Sequence, residues 1–167
     1  MNIKILACFL TFLYFLFPLG AGAGPVDNIK DDSRCPVCGM FVAKYDVWIT
    51  QIRYDKETVF SFDGVKDMMA YYHSPESFGG RESKDIKEIW VKDYYSLKWV
   101  DARKAYFVVG SDVHGPMGHE FVPFAGKAAA DAFLADHHGR QVMAFDDITE
   151  EQVEKLRVGN KMKNMKR

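Results

Sequence analysis

Thr58-Val59-Phe60-Ser61-Phe62-Asp63-Gly64 alternates like a strand with one face on a core, then breaks at an acid and a glycine. Val65, Met68, Met69 and Tyr72 follow at helical spacing, so strand passes into helix at that break. Asp63 suits the N-cap, and Ser74-Pro75 ends the helix. The same order recurs downstream. Glu120 to Phe124 reads as a strand, Phe124-Ala125-Gly126 aligns with Phe62-Asp63-Gly64, and a helix is expected over 127–137 with Gly139 as its C-cap. Tyr71 and Phe133 then fall at equivalent helical positions. After each helix, Ile89-Trp90-Val91-Lys92-Asp93 matches Val142-Met143-Ala144-Phe145-Asp146. A repeat of this kind outranks the reading of any single element. The predicted fold is α+β, with two tandem ββαβ units and a C-terminal helix.

Outward from that frame, Met40 to Tyr54 carries β-branched and aromatic residues and reads as a strand, turning at Asp55-Lys56-Glu57. Glu76 to Asp85 is a polar loop, Ile86 to Tyr95 a strand, and Lys98 to Asp101 a short extended connection. Ala105 to Gly110 and Gln141 to Phe145 complete the second unit. Thr149-Glu150-Glu151-Gln152 is a capping box for a last helix to about Val158, followed by a basic, low-complexity tail. The expected divisions are 1–23, 24–34, 35–97, 98–148 and 149–167: leader, linker, first unit, second unit, and helix with tail.

The leader is an export signal. Lys4 precedes a largely apolar stretch from Ile5 to Leu19, and Ala21-Gly22-Ala23 is a small-residue cleavage site. The stretch is short for a membrane span, which needs about 20 residues, so the mature chain is expected to lack one. Cys8 belongs to the discarded peptide in this reading, and retention of the leader as an anchor is the alternative. The whole chain carries a formal charge of −1. A nucleic-acid binder would need a basic face, so that class is set aside. Beyond the leader only Cys35 and Cys38 remain, too few for a disulfide scaffold.

Those two cysteines lie in Cys35-Pro36-Val37-Cys38-Gly39-Met40, which gathers two thiols and a thioether. Soft sulfur donors of this type suit Cu(I), zinc or iron–sulfur clusters. A second cluster, His114-Gly115-Pro116-Met117-Gly118-His119, offers another thioether and two imidazoles. Met117 sits between glycines that let the backbone bend closely around it. Several readings stay open at this point. The cysteine turn can be a zinc knuckle, although an all-thiolate site would need two chains. It can be a thiol–disulfide pair, although such pairs usually stand at a helix N-terminus and Gly39-Met40-Phe41-Val42 leads into an expected strand. It can be a plain disulfide. His73 and the His137-His138 pair are read as helix-end residues, and Asp63, Asp146 and Asp147 as caps and turns.

The motif order as a whole resembles the NosL family of nitrous oxide reductase accessory proteins. The resemblance rests on Cys35 to Lys44, Trp99-Val100-Asp101-Ala102, Tyr106-Phe107-Val108-Val109-Gly110, Gly115-Pro116-Met117-Gly118 and Pro123-Phe124. It implies a duplicated ββαβ fold similar to organomercurial lyases, Cu(I) as cargo, and no enzymatic activity. It further implies delivery to apo nitrous oxide reductase or another exported cuproenzyme in the periplasm, with a copper-exporting membrane transporter as a second partner. By motif, Cys38, Met40 and Met117 would be the sulfur ligands, with His119 a nitrogen candidate and Cys35 an accessory thiol. Many members of the family are lipoproteins, whereas this leader lacks a lipobox. A thiol–disulfide oxidoreductase, an organometal lyase and a structural zinc domain are the alternatives.

Overall fold

The computed structural model describes residues 23–165, and in it each repeat builds its own sheet with the same order of three strands. The first unit comprises β1 (Thr50–Arg53), β2 (Val59–Phe62), α1 (Val65–His73) and β3 (Glu88–Lys92). After β4 (Trp99–Asp101), the second comprises β5 (Tyr106–Gly115), β6 (Gly118–Phe124), α2 (Lys127–Asp136) and β7 (Gln141–Ala144). The strand orders are β2-β1-β3-β4 and β6-β5-β7. In each unit the first strand is central, flanked by its hairpin partner and by the strand after the helix, all antiparallel. The chain closes with α3 (Glu150–Met165). The expected leader lies, except for Ala23, outside the described residues.

The second sheet is buried on both faces, which is why its strands read as nearly continuous apolar runs. Val108, Val122 and Phe124 turn to α2 and meet Ala130 and Phe133. Phe107, Phe121 and Met143 turn the other way, into one core with Phe62, Met68, Met69, Tyr71 and Val153. The two units thus share an interior. Tyr71 and Phe133, matched by the repeat, are both fully buried.

Several elements differ from expectation. Residues 42–48 form 3₁₀ turns kinked at Tyr45, so the strand predicted from Met40 starts only at Thr50. Phe41 instead bridges to Arg34, whose guanidinium lies over its ring at 3.9 Å. Lys98 to Asp101 is not a bare connection, because Trp99–Asp101 pairs with β3 as a fourth strand. The polar loop after α1 contains two 3₁₀ turns, at Pro75–Phe78 and Ser83–Asp85. The segment 24–34, predicted as a linker, is strapped to the first sheet. Val26 exchanges two hydrogen bonds with the Gln51 amide, Arg53 donates to the Gly24 carbonyl, and Trp99 donates to Asp27. This strap explains how polar Gln51 and Arg53 are buried on a central strand.

Helix ends also depart from the sequence reading. Past α2 it is His138, not Gly139, that takes the left-handed backbone, at φ 53°. Gly139 donates to the Leu134 carbonyl in the outer bond of the cap, and a Cβ there would lie 2.7 Å from Val108. His137 stacks on Phe133 and pairs with Asp112 at 2.9 Å, and His73 meets the Ile148 carbonyl. The Thr149–Gln152 capping box forms as expected. Beyond it, α3 continues through Gly159 to Met165 instead of stopping at Val158. One helical glycine costs only about 1 kcal/mol.

Candidate metal centre

The cysteine turn is built by its own backbone. Gly39 donates to the Cys35 carbonyl and Cys35 donates to the Met40 carbonyl, both at 2.9 Å. Gly39 adopts φ +79°, a left-handed backbone that glycine takes without strain. The Arg34 side chain closes the loop by donating to the Gly39 carbonyl at 2.8 Å. The Met40 N–H in turn points at the Cys38 sulfur. Neither cysteine is in a disulfide; Cys35 is buried at 1% exposure, while Cys38 is half-buried.

The turn packs on the N-terminal end of α1, and there the carboxylates enter. The Cys38 thiol donates to Asp63 at 3.2 Å, and the Cys35 thiol to Asp67 at 3.6 Å. The two sulfurs and one oxygen from each carboxylate all lie within 4.8 Å of one another. Asp63 is therefore not the N-cap that its position suggests. Gly64 stands at the cap with no side-chain hydrogen bond. Asp63 and Asp67 are the site residues that sequence reasoning missed. The contact with Cys35, followed by burial and the nearby Asp67, pushes the Cys38 thiol far above its ordinary pKa, against the pull of the Met40 N–H. Burial pushes Asp67 up as well.

The second cluster arrives on the β5–β6 hairpin. It is not a loop: His114 pairs with His119 and Gly115 with Gly118 across the ladder, leaving Pro116-Met117 as the turn. The buried Lys66 of α1 fastens this tip. Its Nζ donates to the carbonyls of Met117 at 3.1 Å and of His119 at 3.2 Å. Its backbone N–H donates at 2.5 Å to Glu120, a buried carboxylate on β6. Burial raises Glu120 to about 8, opposed by Lys66. The two sequence clusters thus converge on the first turn of α1, one through Asp63 and Asp67, the other through Lys66. Met40, Met117 and His119 are each half-buried. The His119 ring stands against His114, with centroids 4.6 Å apart.

The arrangement brings two thiols and two carboxylates together with thioether-bearing segments beside them, and it fits a thiophilic ion as cargo. Sequence comparison agrees. The NosL profile matches residues 25–153. The chain belongs to the NosL family. It is 31% identical over 126 residues to the copper-binding lipoprotein NosL of Stutzerimonas stutzeri, covering 71% of this chain and 63% of that protein. It is 36% identical over 103 residues to the protein of the same name from Achromobacter cycloclastes, covering 55% and 50%. The matched region is thus less than two thirds of the length of these relatives. Among solved structures, the copper chaperone NosL of Shewanella denitrificans superposes with a TM-score of 0.63 at 26% identity, covering 77% of this chain and 100% of that one. Among the described residues, no helix is long and apolar enough to cross a membrane.

Proposed function

We propose that this NosL-family chain is an exported Cu(I) carrier that hands copper to apo nitrous oxide reductase or another exported cuproenzyme, receiving it from a copper-exporting membrane transporter. One observation carries the reading: two unpaired cysteine sulfurs meet within 4.8 Å at the first turn of α1, where Lys66 also fastens the Met117 hairpin. Thiolate and thioether donors favour Cu(I) over harder ions. Cys38 and Met117 are the sulfur ligands in this reading, with Met40 beside them on the turn. Cys35 is a reserve thiol in the interior. Copper arriving at Cys38 displaces the thiol proton, and Asp63 already accepts that proton's hydrogen bond. Partial exposure of Cys38 leaves a recipient's ligand room to attack, so cargo passes on by ligand exchange rather than catalysis. The names of the relatives, copper-binding lipoprotein and copper chaperone, support the same role.

One observation favours a second reading. Asp67, whose burial favours the protonated form, lies 3.6 Å from the Cys35 sulfur, and a carboxylic acid so placed can protonate the carbon of a thiol-bound organomercurial, releasing R–H and leaving Hg(II) on sulfur. Titration of the reduced protein against a chromophoric Cu(I) chelator tests the carrier role. One Cu(I) per chain is the expected result. Stoichiometric zinc without competition for Cu(I) would establish a zinc knuckle instead, and turnover of phenylmercury to benzene would establish the lyase.

A further inference from the structure

α3 is anchored in the shared core by Val153 and packs against α1 and β6. Past that anchor it does not close fully on the second sheet. A cavity of about 100 Å³ remains, walled by Val109, Phe121 and Met143 from the three strands and by Leu156 from the helix. An apolar cavity of about 150 Å³ admits benzene, so this one has room for a chain of roughly three or four carbons. Phe121 and Met143 are buried, whereas Arg140 and Lys155, which also line the cavity, are exposed and mark its mouth. The floor is apolar and the mouth cationic.

The donors at the mouth are held in place and open to a ligand. The Arg140 N–H donates to the Val109 carbonyl at 2.8 Å, which ties its backbone to β5. Its side chain lies over Gly110, which has φ +81° and leaves the space free; a Cβ there would stand 2.9 Å from Arg140 Cβ and 3.2 Å from its Nε. Among the described residues no carboxylate pairs with this guanidinium, although Arg53, Arg81 and Arg157 each face one. Lys155 meets Glu151 in an exposed pair that solvent screens. Gln152, on the same wall, uses its side-chain oxygen to cap α3, which leaves its amide N–H groups to donate.

We propose that this cavity binds a small amphipathic carboxylate, with its hydrocarbon chain on Phe121 and Met143 and its carboxylate against Arg140 and Lys155. A planar guanidinium recognises a carboxylate through two parallel N–H···O bonds. The apolar floor favours a ligand with a hydrocarbon part over a free inorganic anion, which would lose hydration there without a partner. The site stands apart from the carrier reading, because none of the lining residues belongs to the cysteine turn or to the turn of the Met117 hairpin.

The test is a titration of the isotopically labelled protein with pentanoate, followed by two-dimensional NMR. Saturable shifts should centre on the amides of Val109, Phe121, Met143 and Leu156. Pentanol, uncharged and of the same carbon number, should bind at least about tenfold more weakly, as loss of a charge-assisted contact implies. Arg140→Gln should weaken pentanoate binding by a similar factor and Lys155→Gln by less. Both variants should keep the wild-type melting temperature, since both side chains are exposed. Absence of saturable binding overturns the proposal, as does pentanol binding equal to that of pentanoate, or indifference to Arg140→Gln. Inorganic phosphate displacing pentanoate with comparable affinity also overturns it, by showing a plain anion site.

Discussion

Lys66→Met keeps most of a buried stem while removing the charge that fastens the hairpin tip to α1. The lost contacts are the hydrogen bonds to the Met117 and His119 carbonyls, at 3.1 and 3.2 Å. Hydrogen bonds from a charged donor contribute about 1.5–3 kcal/mol each. Both acceptors belong to half-buried residues that water can reach, so the lower end applies. The backbone bond from residue 66 to Glu120 survives, and Glu120 can take up a proton rather than remain an unpaired charge. The apo protein should lose about 2–3 kcal/mol, or roughly 5–10 °C in melting temperature for a chain of this size. The metal readout separates positioning from plain stability. If Lys66 acts by holding Met117 in place, Met117→Ala should weaken Cu(I) binding strongly in the wild type and little further in Lys66→Met. Chelator competition on the four proteins of this cycle measures the coupling. Wild-type Cu(I) affinity in Lys66→Met, with the Met117→Ala effect undiminished there, would refute the argument even if the melting temperature falls as expected.

Other perturbations read the site from different sides. Cys38→Ser should weaken Cu(I) binding more than Cys35→Ser, because Cys38 is the accessible thiol; equal losses in the chelator assay would instead indicate a dithiolate ion. Mild oxidation to the Cys35–Cys38 disulfide should abolish Cu(I) binding and reductant restore it, since thiolate is the ligating form. Undiminished binding by protein with a disulfide confirmed by mass would contradict this. Glu120 gives a pH dependence: its folded value of about 8 lies above its ordinary 4.5, so the folded state keeps the proton longer. That stabilisation is full below about pH 4.5 and is lost as pH rises to 8. Apo stability should therefore fall through this window by up to roughly 1.4 kcal/mol per pH unit, and Glu120→Gln should flatten the slope in denaturant titrations.

The fold was legible because the repeat supplied two independent copies of each boundary. A strand ending in Phe-x-Gly before a helix is ambiguous once, but twice in matching order it fixes a topology, and both sheets adopt it. What escaped depends on contacts distant in sequence. Residues 42–48 have strand-like composition, yet Phe41 folds back to Arg34 and the chain reaches β1 through 3₁₀ turns. Nothing local in Gly24 to Asp27 announces that this stretch lies along the first sheet, because its partners are Arg53, Gln51 and Trp99. In the site, the sulfur residues were visible by element and spacing. Asp63 was hidden by an ordinary explanation, since an aspartate before a helix is usually a cap, and Asp67 lay unremarked inside the first turn of α1.

The repeat itself contained the signal that would have exposed them. Phe62-Asp63-Gly64 aligns with Phe124-Ala125-Gly126, which sets Asp67 against Ala129. Both helices start at a glycine cap with no side-chain hydrogen bond. The second copy therefore shows that the unit folds with alanine at both positions. The fold of the unit thus does not require Asp63 and Asp67, which are 2% and 4% exposed; Asp67 faces Arg157 of α3 at 3.9 Å as well as Cys35, and Asp63 faces Cys38. The free end of α1 is satisfied from elsewhere. Glu120, on the other unit, accepts from the Lys66 N–H, and a Cβ at Gly64 would collide with its carboxylate. Exchange of roles follows from this geometry: because Glu120 caps α1 from across the interface, Asp63 is released to face Cys38. The same carboxylate draws the Met117 hairpin against the helix. Docking of the two units thus sets the Met117 hairpin against the first turn of α1, the same turn on which the thiol pair meets Asp63 and Asp67.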